Sequence, residues 1–139
     1  MPATTLGMNY LLDTFFGTKE TVPTTYYIGL STDVLTPADD DGSDCNEVSG
    51  GSYARVAITN NDGDATEWTV AASGELANVN DVEFPASTAS WGEIKSVFIS
   101  DGVAGAGDIY FYVNISPTLT VGDVTLVNFV AGTLIVSMS

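Results

Sequence analysis

Side-chain catalysis needs a base, a nucleophile or a set of metal ligands, and this sequence is short of all three. It contains no histidine, which removes the commonest general base and the commonest zinc ligand. Its one cysteine, Cys45, cannot complete a tetrahedral Cys/His site, a cysteine–histidine pair or an intrachain disulfide. Cys45 lies between Asp44 and Asn46. Neighbouring carboxylates should hold its thiol pKa up, and it reads as a spare cysteine in a polar loop.

Carboxylates are the remaining source of chemistry. Glycoside hydrolysis needs only two of them, and Glu67, Glu75, Glu83 and Glu93 fall on or near expected strands. Trp68 and Trp91 stand close to two of these acids, so a sugar platform can be imagined. The plainer reading makes the acids solvated surface positions and the tryptophans core or interface. Asp39, Asp40, Asp41 and Asp44 offer hard oxygen ligands. An EF-hand loop, however, carries an acid five residues before its glycine, and Pro37 and Ile58 stand there relative to Gly42 and Gly63. A solvated acidic loop is expected, with no metal and no other cofactor. The run from Gly102 to Gly107 is glycine-rich but lies between two expected strands. It reads as a hairpin loop and not as a dinucleotide or phosphate cradle.

Charge narrows the partners. Eighteen Asp and Glu face Lys19, Arg55 and Lys95, a formal charge of −15. Such a chain has no basic stripe for phosphates and is repelled by anionic lipid, so neither direct nucleic-acid nor membrane binding is expected. No apolar run reaches membrane-spanning length. The opening Met1-Pro2-Ala3-Thr4-Thr5 lacks the basic and apolar regions of a cleavable signal, so synthesis in a host cytoplasm without export is expected. The sequon Asn114-Ile115-Ser116 then has no glycosylating compartment to act in.

The elements that must position these residues are mostly strands. At 139 residues, with 45% hydrophobic and 15% charged, the chain has the length and composition of one globular domain, residues 1–139. A short helical lead-in over residues 1–17 is predicted: Thr4 or Thr5 caps it, Leu6, Tyr10, Leu11 and Phe15 fall near one face, and Gly17 stops it. Strands are expected over residues 24–30, 53–58, 67–70, 76–84 (the weakest), 94–100, 109–115, 124–130 and 133–138, with turn residues at 60–64. Residues 33–51 form an acidic connection long for a compact domain. Short strands at this spacing predict an all-β fold, a β-sandwich or jelly-roll-like domain with a short N-terminal helix.

Several segments in this order resemble a family of small tailed-bacteriophage virion structural proteins. The most telling are Glu47-Val48-Ser49-Gly50-Gly51-Ser52-Tyr53-Ala54-Arg55 and Phe84-Pro85-Ala86-Ser87-Thr88-Ala89-Ser90-Trp91-Gly92. Tyr10-Leu11-Leu12-Asp13-Thr14-Phe15-Phe16-Gly17, the run 23–32, Val121-Gly122-Asp123-Val124 and Ala131-Gly132-Thr133-Leu134 extend the likeness over nearly the whole chain. In physical terms Gly50-Gly51 leads tightly into a strand, and Arg55 is placed to pair with a buried or interfacial acid. The resemblance implies a β-rich virion component that works as an oligomer, with no catalytic residues. Similar proteins have a shorter link before the Glu47 block, so residues 33–47 are an elaboration here.

The reading that follows is a non-enzymatic virion protein. A capsid-decorating (cement) protein on the outside of a phage head comes first, acting as a homo-oligomer, a trimer, against the major capsid protein or other virion proteins. A tail or baseplate protein, including a small host-recognition fibre, is the alternative; a carboxylate-based glycan hydrolase is the distant one. The aromatic lead-in is expected to be buried on the sheet or on a neighbouring subunit, and its removal to leave the β fold standing.

Overall fold

The computed structural model describes residues 1–18, 21–60 and 65–138. Helix α1 (Thr5–Phe16) is followed by eight strands: β1 (Thr25–Ser31), β2 (Val56–Thr59), β3 (Glu75–Ala77), β4 (Val82–Glu83), β5 (Gly92–Ser100), β6 (Ile109–Val121), β7 (Asn128–Phe129) and β8 (Ile135–Ser137). Four of them form an antiparallel sheet in the order β2-β1-β5-β6, and β3-β8 and β4-β7 form two short antiparallel ribbons. The fold is all-β with one short N-terminal helix.

Alternation on the central strands separates two cores. Ile28 and Leu30 of β1, with Ile94, Val97 and Ile99 of β5, pack with Trp68, Val82, Phe84, Trp91, Val127, Leu134 and Val136. That core fills the space between the sheet and the ribbons. Phe98 of β5 faces the other way, into a smaller core with Leu35, Cys45, Ile109 and Tyr112. Both faces of β5 are therefore covered, and residues 96–100 are buried without interruption. Ile94 and Val97 share a face although they stand three positions apart, because the β5–β6 register shifts between Ile94 and Ser96.

The differences from the predicted strands have local causes. The ladder of β2 begins only at Val56, since Tyr53 and Arg55 are drawn away to Glu47. The run 67–70 makes a single bridge, Trp68 to Asn78, held by Thr69 N–H to the Ala77 carbonyl and Val79 N–H to that of Glu67. The run 76–84 divides into β3 and β4 because Asn78 turns inward, 1% exposed. Its amide donates to the Asn80 and Val130 carbonyls and its carbonyl accepts from Leu134 N–H. Strand β6 runs on through Pro117, because residues 115–118 stand outside the paired register, where no ladder donor is needed. Of 124–130 only Asn128 and Phe129 are strand, Val124 occupying a left-handed turn position at φ 56°. Of the turn expected at 60–64, all beyond Asn60 lies outside the described residues.

The N-terminal segment is not a detachable lead-in. Tyr112 N–H donates to the Pro2 carbonyl, Thr4 N–H to that of Tyr110, and Ser137 N–H to that of Met1. Residues 1–4 thus stitch the edge of β6 to β8. Thr4 then caps α1, its hydroxyl accepting from Gly7 N–H at 2.9 Å. Gly17 N–H closes the far end on the Asp13 carbonyl.

Gly7 is the buried residue of α1, and the helix comes so close to β6 there that a Cβ would collide with the Tyr110 carbonyl. Alanine favours a helix over glycine by about 1 kcal/mol, yet a side chain forced against backbone costs roughly 1–3 kcal/mol. Gly7→Ala is therefore expected to lower the urea midpoint while leaving the far-UV β signal in place. A raised midpoint would show that α1 is not seated on the sheet as described.

Candidate functional site

The charged chemistry of the molecule centres on Arg55, whose side chain is 1% exposed in its ion pair with Glu47. Arg55 precedes β2, and Glu47 bridges β1 at Ser31, so the two arrive from opposite ends of the Gly50–Gly51 turn. The guanidinium donates from Nε to Glu47 Oε1 at 2.6 Å and from Nη2 to Oε2 at 2.7 Å, the bidentate geometry in which such pairs are strongest. Its remaining hydrogens go to the Gly102 carbonyl at 2.6 Å, the Gly105 carbonyl at 2.7 Å and Ser100 Oγ at 3.2 Å. The cation also lies 5.0 Å from the Phe98 ring centroid. Tyr53 donates its hydroxyl proton to Glu47 at 2.8 Å and accepts from Leu30 N–H. Its pKa is pushed up by burial and then by the Glu47 charge, so it stays a donor. Every donor of Arg55 is used, which leaves it nothing with which to hold an anionic ligand.

The acidic segment keeps its aspartates at or near the surface while its backbone is pinned to the sheet. Val48 N–H donates to the Leu30 carbonyl, Gly42 N–H to that of Gly107, and Ile109 N–H to that of Asp40. Leu35, Cys45 and Val48 are buried. Cys45 is accordingly not a spare thiol in a polar loop. It packs beside Phe98, its Sγ donates to the Gly42 carbonyl, and its pKa rises to about 11, mainly through burial and then through Glu47. The glycine run 102–107 is a loop between β5 and β6, and it serves by turning two carbonyls onto Arg55.

Of Glu67, Glu75, Glu83 and Glu93, Glu67 lies outside the named strands, next to the Trp68–Asn78 bridge. Glu75, Glu83 and Glu93 belong to three different sheets, and Glu93 accepts from the Thr118 hydroxyl. Trp68 and Trp91 are core residues at 7% and 4% exposure, so neither offers a sugar-stacking face. Among the described residues no group of three or more Asp, Glu or Cys is arranged to hold a metal. Asp41 is instead held below the usual carboxylate range, chiefly by the Ser43 N–H.

The structure does gather four acids that sequence spacing leaves apart. Asp13 of α1, Asp40 of the acidic segment, and Asp101 and Asp108 of the β5–β6 loop line one cleft with Tyr10 and Tyr110. No sequence signal joins them, since they meet only through the docking of α1 and of residues 33–51 on the sheet. On the other flank of α1, Met8, Leu11, Leu12, Phe15 and Met138 line an apolar groove.

The two signature blocks, far apart in sequence, form one unit. Trp91 Nε1–H and Thr88 N–H both donate to the Gly51 carbonyl, at 2.9 and 3.0 Å. Gly51 has φ +54°, and a Cβ on it would press on Trp91 and the Ala89 carbonyl, so glycine is required twice over. Tyr53 stacks on Phe84 and meets Trp91 edge-on at 5.4 Å. The two blocks are thus the scaffold that aims Tyr53 and Arg55 at Glu47.

Breaking a buried ion pair from one side strands the other charge, at about 3–5 kcal/mol. Arg55→Met is expected to destabilise the domain by that amount in urea unfolding. Arg55→Met with Glu47→Gln should recover part of the loss, a double-mutant coupling of about 1 kcal/mol or more. Additive losses would mean that the two side chains act independently.

Comparison with known proteins agrees with the resemblance. No curated protein matches the chain. The profile of the family described as Podophage GP4 fiber I protein gp80 matches residues 2–137, which takes in both blocks, α1 and all eight strands. The chain belongs to this family of podophage fibre proteins.

Proposed function

We propose that the chain is a non-enzymatic structural subunit of a podophage tail fibre, acting as one β domain. The observation that carries this reading is the fibre-family match over residues 2–137. The commitment of Arg55, Glu47 and Tyr53 to internal bonds, and the scattering of the remaining glutamates, favour a scaffold over a catalyst. A head-decorating role drew on the compact, strongly acidic chain; that surface suits any exposed virion position, and the fibre family favours the tail. The subunit works in a homo-oligomer, a trimer, joined to other virion proteins.

Quantitative mass spectrometry of purified virions separates the two positions. A fibre subunit should be present at a handful to dozens of copies per particle and be labelled by antibody at the tail. Abundance approaching that of the major capsid protein, with label over the head, would restore the cement reading. Turnover of bacterial surface glycans by the purified protein would overturn the structural role itself.

A further inference from the structure

Helix α1 separates two unlike surfaces. Leu6, Tyr10 and Asp13, spaced as one helical stripe, face the acidic cleft. Met8, Leu12 and Phe15 form a second stripe along the apolar groove. Gly7 seats the helix on β6 between them, and the outer end carries Phe15 and Phe16, 76% and 87% exposed. The groove continues past Leu11 and Met138 to Leu76, Phe111 and Val136. An apolar strip with two exposed phenylalanines is the kind of surface that marks a contact site.

Charge identifies what covers it. The cleft beside the strip takes carboxylates from Asp13, Asp40, Asp101 and Asp108, and among the described residues no Lys or Arg pairs with any of them. Crowding is already felt there: Asp108 is held above the usual carboxylate range by burial and then by Asp101, Asp41 and Asp40. A second copy of this chain is a poor complement, having three basic residues in all, of which Arg55 is consumed internally. An uncharged apolar partner would leave the carboxylates facing one another.

We propose that the outer face of α1 is a docking surface for a cationic amphipathic segment of another virion protein, with its apolar side on Leu12, Phe15 and Phe16 and its Lys or Arg side chains in the Asp13–Asp40–Asp101–Asp108 cleft. The inference rests on the reading of the chain as a virion structural subunit, which virion stoichiometry tests independently.

The test uses the full chain and a synthetic amphipathic helix of leucine and lysine as the probe, with oligolysine of equal charge as the control, by fluorescence anisotropy. The amphipathic peptide should bind more tightly than oligolysine. Asp13→Asn with Asp108→Asn should weaken it about fivefold, two surface-charge contacts' worth. Phe15→Ser with Phe16→Ser should weaken it about tenfold, as loss of an aromatic anchor does. Glu83→Gln with Asp123→Asn removes two charges that do not line the cleft and should leave binding unchanged. All six positions lie at the surface, and circular dichroism should confirm that each variant keeps the β fold. Equal binding of oligolysine, or equal losses from the Asp13/Asp108 and Glu83/Asp123 pairs, would reduce the attraction to net charge and overturn the proposal. So would self-association that Phe15→Ser with Phe16→Ser abolishes and the peptide fails to compete, which would assign the strip to a second copy.

Discussion

A guanidinium removed from water must have all its hydrogens satisfied, and that requirement organises this molecule. Arg55 collects a carboxylate from the acidic segment, two carbonyls from the glycine loop and a hydroxyl from β5. The acidic segment and the glycine loop, already joined by Gly42 N–H to the Gly107 carbonyl, are thereby fixed against the segment that carries Arg55. A buried charge stabilises little in net terms, because desolvation offsets most of the Coulomb attraction. Its value here is geometric: one arrangement of the two loops against β5 satisfies it, and others strand a charge.

The rest of the fold builds outward from that point. Tyr53 passes the constraint to β1 through Leu30 N–H and to the aromatic core through Phe84 and Trp91. The acidic segment, anchored at Glu47, brings Leu35 and Cys45 over Phe98 and carries Asp40 to the mouth of the β5–β6 loop. Thr5 N–H then meets the Pro37 carbonyl, so α1 also rests partly on this segment. The acidic cleft and the apolar strip are consequences of how these pieces dock.

What was legible in the sequence was what is local. Thr4 and Gly17 mark the helix, and β-branched and aromatic runs mark β1, β5 and β6, because capping and alternation are short-range signals. The rarity of cations makes Arg55 conspicuous. Two things were not legible. Residues 33–51 carry six acids and read as solvent-facing, yet the apolar minority of Leu35, Cys45 and Val48 decides their position through contacts distant in sequence. The convergence of Asp13, Asp40, Asp101 and Asp108 likewise depends on tertiary docking that no spacing encodes. Asn78 interrupts the expected strand 76–84 and is also a buried staple, because its amide finds three backbone partners at once.

The claim that one buried guanidinium couples these loops is tested most directly by amide hydrogen exchange on the wild type and Arg55→Met. Coupling predicts that protection falls together at Leu30, Gly42 and Val48 and at Gly102 and Asp108 in the loop 102–108, while Val97 and Ile99 in β5 keep most of theirs. Loss confined to the glycine loop, with Leu30, Gly42 and Val48 unchanged, would contradict it.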